Sequence, residues 1–380
     1  MMELDKLSIK LRKKSLKYLS QYGTVSYINK RNIVHNSKLI IRKSKNRIIS
    51  PVIKADAYGI GAKILIKILI ECGYKSFFLG NLSEGQEIRK KYKNVELFIL
   101  NCGQPFNIKL LKKYKLIPVI NNLEDLKLWG QHTSQEDYCI LHIDTGMNRL
   151  GMNLQEIKNL SDKEVFKNIN IKFIMSHFTC AEDINNLINK IQLEKLLNCA
   201  KILKKIYKKE IKTSICNSSG IWLGAKYLLD VIRPGAAFLG INPTLNKENP
   251  LKEVLSLYAQ ITQIKEVQKN ETIGYGRTLT IKKDTKIATL SIGYSNGLSR
   301  LLSNTGDVYI NNKKMKILGR VSMDLTVIDI SKFKSDEVKN GDIVEIFGPN
   351  RSLEEFAKMN RTIPYEILCT MAKSNPKIMI

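Results

Sequence analysis

The stretch PVIKADAYGIG, residues 51–61, joins a short apolar strand to a lysine, a tyrosine and two glycines. Lys54 stands at the predicted strand end, where low dielectric lowers a lysine's pKa and makes the neutral amine a nucleophile or a base. Tyr58 follows four residues later, and Gly59 and Gly61 lead into a helical pattern. A strand that merely ends in a solvated lysine would look the same, so the interpretation of Lys54 depends on the rest of the chain.

Apolar runs and helical patterns alternate downstream of this stretch. One helical pattern places Ile64, Leu65, Ile68 and Leu69 on one face and then meets Gly73, a usual stop residue. The candidate strands are residues 51–55, 76–80, 95–100, 117–120, 138–143, 171–177, 212–217 and 228–233. This repeated alternation predicts an α/β fold with a parallel (β/α)8 barrel. A doubly wound open sheet is the alternative, but no GxGxxG follows the first strand.

The pattern changes near residue 250. From residue 254 to 346, short β-type runs are separated by Gly, Asn and Asp, with no long helix between them. This arrangement predicts a second, mostly-β domain. We therefore divide the chain into a basic N-terminal extension (1–23), a barrel domain (24–250) and a C-terminal β domain (251–380). The extension is expected to be a short frayed helix or a loose tail.

The bulk composition argues against several classes of protein. The 380 residues include 43% hydrophobic and 26% charged residues, which is typical of globular proteins. No apolar run reaches the roughly 18 residues of a membrane-spanning helix, and the Lys-rich N-terminus lacks the apolar core of a signal peptide. The seven cysteines form no CxxC pairs, so we expect neither a metal site nor a disulfide framework, and a cytoplasmic location.

The net charge of +27 raises the possibility of a nucleic-acid partner. The lysines, however, are spread along the whole chain, and no basic stripe is interleaved with aromatic residues. We therefore expect no nucleic-acid binding, and we assign the charge to solvated faces and to attraction of an anionic ligand.

Polar residues recur at the predicted carboxyl ends of the barrel strands, where barrel enzymes place their active sites. In chain order they are Lys54, Asp144, Arg149, His177, Asn217, Ser218, Arg233 and Gly235. A nucleophile, an anion-binding hydroxyl, a glycine backbone and two arginines would face one cavity. The sequence therefore predicts a binding site for an anionic ligand beside a reactive lysine.

From about residue 24 to its end, the chain resembles the alanine racemases, the fold-type III enzymes that use pyridoxal phosphate. Residues 53–61, IKADAYGIG, resemble the cofactor-lysine motif of that family. Eight further segments resemble family motifs in the family order: HIDTGMNRLG (142–151), SHFTCAED (176–183), CNSSG (216–220), IRPGAAFLG (232–240), IGYGRT (273–278), SIGYSNGLSR (291–300), GRVSMD (319–324) and PYEILC (364–369).

The resemblance implies pyridoxal phosphate as the cofactor and two catalytic bases. Lys54 would carry the cofactor as a Schiff base and act on one face of the substrate. Tyr275 would act on the opposite face and would come from a second subunit, so the family implies a homodimer with shared active sites.

The resemblance also implies binding roles. The cofactor contacts would be Lys54, Tyr58, His177, Asn217, Ser218, Arg233, Gly235, Ala236 and Tyr365. The substrate contacts would be Arg149, the backbone near Met323, and Tyr294. Arg233 matches the arginine that faces the pyridine nitrogen, and because arginine can only donate, that nitrogen should stay unprotonated. His177 matches the residue that holds this arginine.

One position departs from the family pattern. Many members have a lysine two residues before the DTG sequence that becomes carbamylated and orients the arginine matched here by Arg149. This chain has His142 at that position. The partner of Arg149 is therefore open between an ion, a water molecule and a direct contact with His142.

The resemblance implies a racemase that interconverts L-alanine and D-alanine and supplies D-alanine for peptidoglycan. A racemase of broader specificity, or one acting on serine, is an alternative within the same fold, because sequence alone does not show the width of the pocket. A non-catalytic carrier of pyridoxal phosphate is an alternative of another class. The β domain and Tyr275 count against the carrier, because the small barrel-only carrier proteins lack both.

Overall fold

A computed structural model of the chain describes residues 9–160, 166–245, 247–334 and 336–380. Residues 1–8 of the expected N-terminal extension lie outside the described residues. Backbone contacts divide the chain into two units. The barrel unit comprises residues 34–57 and 61–252, and the sheet unit comprises residues 58–60, 253–380 and the described part of 1–33.

Eight parallel strands form a closed ring in the barrel unit. Six of them form one sheet in chain order, and two short ones pair with each other. Val52 bridges Phe78 on one side, and the Asp230 N–H donates to the Thr213 carbonyl on the other. The prediction of a (β/α)8 barrel is therefore confirmed. The strands are Ile48–Ile49, Ser76–Asn81, Glu96–Asn101, Ile117–Ile120, Tyr138–His142, Asn170–Met175, Thr213–Ser214 and Val231–Ile232.

Apolar side chains from successive strands fill this ring. Side chains alternate between the interior and the outer helices, and six of the eight strands contribute one or two buried apolar residues to this interior. One buried cluster contains Phe78, Phe98, Val119, Ile140, Phe173, Met175 and Val231. Polar residues follow one to three positions later, at the carboxyl ends of the same strands. The packed interior therefore supports a polar end of the barrel.

Asparagine residues begin five of the described helices. Each accepts a backbone N–H two or three positions further on, which contributes about 1 kcal/mol to helix stability. They are Asn81, Asn107, Asn122, Asn153 and Asn186. The helices of the barrel unit are Ala62–Glu71, Leu82–Lys91, Ile108–Lys113, Leu123–His132, Leu154–Lys158 and Leu187–Tyr207, with short turns at Ser219–Trp222, Ala225–Tyr227 and Ala236–Leu239. Lys30–Lys43 is also a helix; its first four residues belong to the sheet unit, and the barrel unit begins within it at residue 34.

The sheet unit contains an eight-stranded sheet that closes on itself through one long strand. Leu255–Val267 pairs with Ile343–Phe347 and also with Thr285–Leu290. The predicted mostly-β character of the C-terminal region is confirmed. The remaining strands of this unit are Thr24–Ile28, Thr272–Ile273, Leu279–Thr280, Asp307–Ile310, Lys313–Leu318, Thr326–Asp329 and Lys377–Met379. Its helical segments are Ile9–Tyr22, Leu353–Met359 and Pro364–Ile367, with shorter turns at Tyr275–Arg277, Tyr294–Asn296, Arg300–Leu302 and Leu368–Ala372.

Strand Thr24–Ile28 lies in the sheet unit, although we expected residues 24–250 to form the barrel domain. It pairs antiparallel with Leu255–Val267 and parallel with Lys377–Met379. All five of its residues are buried, because the strand lies between two others. The backbone contacts therefore place the start of the barrel unit after this strand, at residue 34.

The N-terminal extension is more ordered than the frayed helix or loose tail that we expected. Residues Ile9–Tyr22 form a helix, and its Leu19 is buried in a cluster with Val25, Tyr27 and Tyr258. Because the helix covers apolar side chains of the sheet, it is part of the packed core. Within the described residues, no helix combines the length and the apolar character needed to cross a membrane.

Candidate active site

Lys54 begins a left-handed turn at the end of the first barrel strand. The four residues Ala55–Tyr58 have φ angles between +52° and +56°, and none of them is glycine. The left-handed conformation costs roughly 1–2 kcal/mol for each such residue. Strain of this kind persists only where the surrounding groups hold it, and it occurs most often at functional sites.

Glu84 holds the start of this turn. Its Oε1 accepts the Ala55 N–H at 2.8 Å, and its Oε2 accepts the Gly80 N–H at 2.7 Å. A Cβ at position 80 would lie 3.2 Å from Glu84 Oε2 and 3.4 Å from Lys54 Cβ. One carboxylate therefore joins the turn that carries Lys54 to the neighbouring strand, in charge-assisted hydrogen bonds.

Arg233 lies at the carboxyl end of the last strand and is only 3% exposed. Its guanidinium donates to the Ser214 hydroxyl and to the Ser176 carbonyl oxygen, and its Cζ lies 5.9 Å from the ring centroid of Phe78. Burial lowers the pKa of Arg233 to about 10. The side chain is still protonated at neutral pH and can only donate hydrogen bonds.

His177 lies among several positive groups. Burial lowers its pKa well below the ordinary value, and Arg233, Lys54, Arg149 and His142 act in the same direction. The imidazole is therefore neutral at neutral pH. Three cations within electrostatic range of one neutral ring give this end of the barrel a positive potential, which suits an anionic ligand.

Ser218 follows the seventh strand and is buried. Its Oγ accepts the Gly235 N–H at 3.0 Å and the Ala237 N–H at 3.1 Å. Asn217 Oδ1 accepts a backbone N–H three residues further on, at 2.9 Å, and so stabilises this turn. Ala236 begins the short turn that follows Gly235. A hydroxyl that accepts two bonds still has its own hydrogen to donate, so Ser218 can bind an anion.

Arg149 is carried by a loop that Asp144 organises. The Asp144 carboxylate accepts the backbone N–H groups of residues 146–148 at 2.8–3.2 Å. Arg149 itself is exposed. Since the loop backbone is held and the side chain extends into solvent, Arg149 can turn toward a ligand without refolding of the loop.

Tyr58 and Tyr365 pack together in the sheet unit, with ring centroids 6.1 Å apart at an angle of 57°. Burial raises the pKa of Tyr58 above its ordinary range, and Tyr365 and Cys369 add to this effect. The phenol therefore keeps its hydrogen at neutral pH. Gly59 has a φ of +84°, and a Cβ there would lie 2.6 Å from the Leu368 carbonyl oxygen, so this position requires glycine.

Tyr275 lies at the tip of a short hairpin in the sheet unit. The hairpin strands are Thr272–Ile273 and Leu279–Thr280. A Cβ at Gly276 would lie 2.9 Å from a guanidinium nitrogen of Arg320. The Tyr275 side chain is 71% exposed, so the hairpin presents a tyrosine to the surroundings rather than packing it.

Two further expected residues, Tyr294 and Met323, lie on adjoining segments. The Tyr294 N–H donates to Ser322 O at 3.1 Å, and the Ser295 N–H donates to Met323 O at 2.9 Å. A Cβ at Gly293 would lie 2.2 Å from Met323 O. Both side chains are exposed, Tyr294 by 44% and Met323 by 54%, so each is accessible to a ligand or to a second chain.

The structure thus brings the expected residues together in separate groups. The barrel unit contains two of these groups. One consists of Lys54, Arg149, His177 and Arg233, and the other consists of Ser218 and Gly235. The sheet unit holds Tyr58 with Tyr365, and Tyr294 beside Met323.

Sequence reasoning missed the residues that hold the others in place, namely Glu84, Asn121, Ser176 and Ser214. The spacing of Asn81 and Glu84 does signal a helix start. It gives no sign that the Glu84 carboxylate reaches Ala55, which lies 29 residues earlier.

Comparisons with known proteins identify relatives along nearly the whole chain. Residues 28–243 match the alanine racemase N-terminal domain, and residues 254–379 match the alanine racemase C-terminal domain. The chain is 37% identical over 341 residues to an alanine racemase of Rickettsia bellii (strain RML369-C), covering 88% of this chain and 82% of that protein. It is 35% identical over 329 residues to a catabolic alanine racemase of Agrobacterium fabrum (strain C58 / ATCC 33970), covering 85% and 83%.

Solved structures give the same result. The fold is similar to the crystal structure of alanine racemase from Bartonella henselae with covalently bound pyridoxal phosphate, with a TM-score of 0.88, 30% identity, and coverage of 94% of this chain and 99% of that chain. It is also similar to alanine racemase from Bacillus anthracis with bound L-Ala-P, with a TM-score of 0.85, 26% identity, and coverage of 94% and 95%.

Proposed function

This chain belongs to the alanine racemase family, and we propose that it interconverts L-alanine and D-alanine with two bases, Lys54 and the partner subunit's Tyr275. It is a racemase that depends on pyridoxal phosphate. The observation that carries the proposal is the gathering of Lys54, Arg149 and Arg233 around His177 at one end of the barrel. This cluster combines a primary amine with two anion-binding side chains.

The residues of the barrel unit fit pyridoxal phosphate. Ser218 has a hydroxyl hydrogen left to donate, since its oxygen already accepts two backbone N–H bonds. This hydroxyl, the turn at Asn217 and the backbone at Gly235 and Ala236 would hold the phosphate, because several short hydrogen bonds share its charge. Bound pyridoxal phosphate supplies an electron sink that makes the proton on the substrate Cα more acidic.

Arg233 and Lys54 would hold the other end of the cofactor. The Lys54 amine would form the covalent link to the cofactor, and Arg233 would donate a hydrogen bond to its ring nitrogen. Because Arg233 is protonated and carries no acceptor, it would keep that nitrogen unprotonated and would restrain the electron demand of the ring. The matched motifs also assign Tyr58 and Tyr365 to the phosphate, and the neutral phenol of Tyr58 has a hydrogen to donate.

Racemisation requires that a proton leave one face of Cα and that a proton return to the other face. Lys54 Nζ would move the proton on one face, and the phenolic oxygen of the partner subunit's Tyr275 would move it on the other. The 71% exposure of Tyr275 supports this assignment, because an exposed hairpin tyrosine is available to a second subunit. We therefore propose a homodimer in which each active site takes residues from both chains.

Substrate would be oriented by its carboxylate. Arg149 is suited to this role, because a guanidinium binds a carboxylate through two parallel hydrogen bonds. The exposed Tyr294 and the backbone near Met323 would complete the substrate side of the site, as the matched motifs imply. We also propose that the enzyme acts in the cytoplasm and supplies D-alanine for peptidoglycan.

The test combines cofactor mapping with chiral analysis. The protein loaded with pyridoxal phosphate is reduced with borohydride and digested, and the pyridoxyl group is expected on the peptide containing Lys54. Incubation with L-alanine in D2O is expected to give D-alanine with deuterium on Cα, measured by chiral chromatography and mass spectrometry.

Each alternative predicts a different result. Faster turnover of serine, or equal turnover of several amino acids, would indicate the serine or broad-range racemase of the same fold. Bound cofactor without turnover of any amino acid would indicate a carrier. A protein that takes up no pyridoxal phosphate would refute the proposal. Growth of a D-alanine auxotroph that expresses this chain would support the biosynthetic role.

A further inference from the structure

The hydrogen bonds of Asn121 determine which ring nitrogen of His142 carries the proton. Asn121 Oδ1 lies 2.8 Å from His142 Nδ1. The Asn121 amide nitrogen donates to the carbonyl oxygens of Leu100, at 3.3 Å, and of Val119, at 3.2 Å. If the Asn121 amide were turned by 180°, its oxygen would face the two carbonyl oxygens, which are also acceptors. Oδ1 must therefore face the imidazole. Because that oxygen only accepts, His142 Nδ1 carries the hydrogen.

The imidazole of His142 is buried and neutral. Its exposed fraction is 8%, and burial lowers its pKa to about 4, with contributions in the same direction from Arg233 and Arg149 and an opposing one from Asp144. A neutral ring with its hydrogen on Nδ1 has a lone pair on Nε2. His142 therefore offers a hydrogen-bond acceptor beside cationic side chains.

The Nε2 edge of this ring lies against the loop that carries Arg149. The Met152 N–H donates to His142 O, and the Asp144 N–H donates to Met152 O, both at 2.9 Å. Gly151 has a φ of +109°, and a Cβ there would lie 3.2 Å from His142 Cδ2, the ring carbon bonded to Nε2. Arg149 stands two residues before this point of contact.

We propose that His142 Nε2 accepts a hydrogen bond from the Arg149 guanidinium and thereby orients the arginine that binds the substrate carboxylate. The inference rests on the proposed role of Arg149. A guanidinium has only donors and needs an acceptor to fix its direction. A neutral imidazole supplies this acceptor without a carbamylated lysine or a bound anion, so His142 is a positioning residue and Asn121 sets its tautomer.

The tautomer is measured directly by NMR, since the chain contains only four histidines. In the holoenzyme labelled with ¹⁵N-histidine, we expect His142 to show a protonated Nδ1 and an unprotonated Nε2 that do not titrate between about pH 6 and pH 9. His142→Gln assigns the signal by its loss, and His132→Gln, at an exposed helix end, serves as the control. A hydrogen on Nε2 would overturn the inference.

Kinetics test the consequence for substrate binding. His142→Phe keeps a planar ring but removes the acceptor, and we expect the KM for alanine to rise about tenfold or more with a smaller change in kcat. His142→Gln keeps an amide oxygen and should recover most of the lost affinity. An unchanged KM in a folded His142→Phe variant that binds pyridoxal phosphate would overturn the inference and leave the proposed function intact.

Two further results separate the possible partners of Arg149. Wild-type activity is expected to be independent of added bicarbonate and chloride. Activation by either ion would show that an anion, rather than the imidazole, is the partner of Arg149. If the wild type racemises no amino acid, the proposed function fails, while the NMR result still decides the tautomer of His142.

Discussion

Single residues at the barrel end act through the charge that they carry or lack. Lys54, Arg149 and Arg233 are close enough to His177 to lower its pKa, and burial keeps that imidazole neutral. A positive potential made by three cations favours a ligand that carries both phosphate and carboxylate groups. Removal of one cation should therefore weaken ligand binding more than it weakens the fold.

Tyr275→Phe tests the second base at the same scale. Removal of the phenolic oxygen leaves one face of Cα without a proton carrier, so we expect at least about a hundredfold loss of racemisation from L-alanine. The absorbance of bound cofactor should be unchanged. Tyr138→Phe, at another exposed tyrosine, is the matched control and should keep full activity. If Tyr275→Phe keeps wild-type kinetics from L-alanine, the residue has no part in the mechanism.

At the scale of elements, the left-handed turn after the first strand decides where the Lys54 side chain lies. Its strain is held at one end by Glu84, which joins Ala55 to Gly80. At the other end, the Asp56 carboxylate accepts the Ala62 N–H at 2.7 Å. The turn therefore depends on two carboxylates that the motif pattern alone does not connect.

Glu84→Gln is expected to loosen this turn. The amide can accept only one of the two N–H bonds, and its own NH2 group faces the other donor, so we expect a loss of roughly 1–3 kcal/mol in the free energy of unfolding. Because the loosened turn would displace Lys54, kcat should also fall. Racemase kinetics and urea denaturation are measured on the same variant. Glu87→Gln changes an exposed residue on the same helix and should alter neither quantity. Equal behaviour of the two variants would rule out a positioning role for Glu84.

Strand boundaries were only partly predictable from sequence in both units: the first barrel strand was expected at residues 51–55 and is Ile48–Ile49, and charged residues obscure a strand of the sheet unit. Lys313–Leu318 is a strand although it contains three lysines. Its alternation was visible, since Met315 and Ile317 are buried while the lysines point outward. Asn311 and Asn312, with φ of +47° and +63°, form the tight turn that precedes it. The turn chemistry was present, but the charged residues concealed the apolar face.

At the scale of the whole molecule, the proposed homodimer predicts that two inactive variants restore activity when they form mixed dimers. Lys54→Ala and Tyr275→Phe should each be inactive alone. If each site combines Lys54 of one chain with the partner subunit's Tyr275, a mixed dimer contains one site with both natural residues. We therefore expect activity to reappear when the two variants are unfolded and refolded together. Continued inactivity of proven mixed dimers would mean that both bases come from one chain.

Stability of the whole molecule should depend on pH with opposite contributions from two buried groups. The pKa of His142 is about 4 in the folded protein and 6.5 ordinarily. Its contribution to stability is therefore complete above pH 6.5 and is lost as the pH falls, because only the unfolded chain takes up the proton. His142→Gln should reduce the acid destabilisation by up to about 3 kcal/mol, measured by urea denaturation at about pH 4 and pH 7.5.

Glu253 contributes to the pH dependence of stability with the opposite sign to His142. Burial raises its pKa to about 7 from an ordinary value of 4.5. Its stabilising contribution is complete below pH 4.5 and is lost as the pH rises to 7, because the unfolded chain gives up this proton in that range while the buried carboxyl keeps it. On acidification, the Glu253→Gln variant should therefore lose more of its free energy of unfolding than the wild type does. A smaller loss in this variant would contradict the assigned direction of its pKa.

The sequence by itself determined the order of strands and helices in the barrel, the mostly-β character of the C-terminal region and the family to which the chain belongs. These features depend on local periodicity and on short contiguous motifs such as residues 53–61, which can be recognised without knowledge of distant contacts. The tertiary structure alone decided the pairing of Thr24–Ile28 with the C-terminal sheet, the support of the Lys54 turn by Glu84 and the contact between Asn121 and His142. Each of these depends on hydrogen bonds between residues that lie at least 21 positions apart, and no local pattern encodes such bonds.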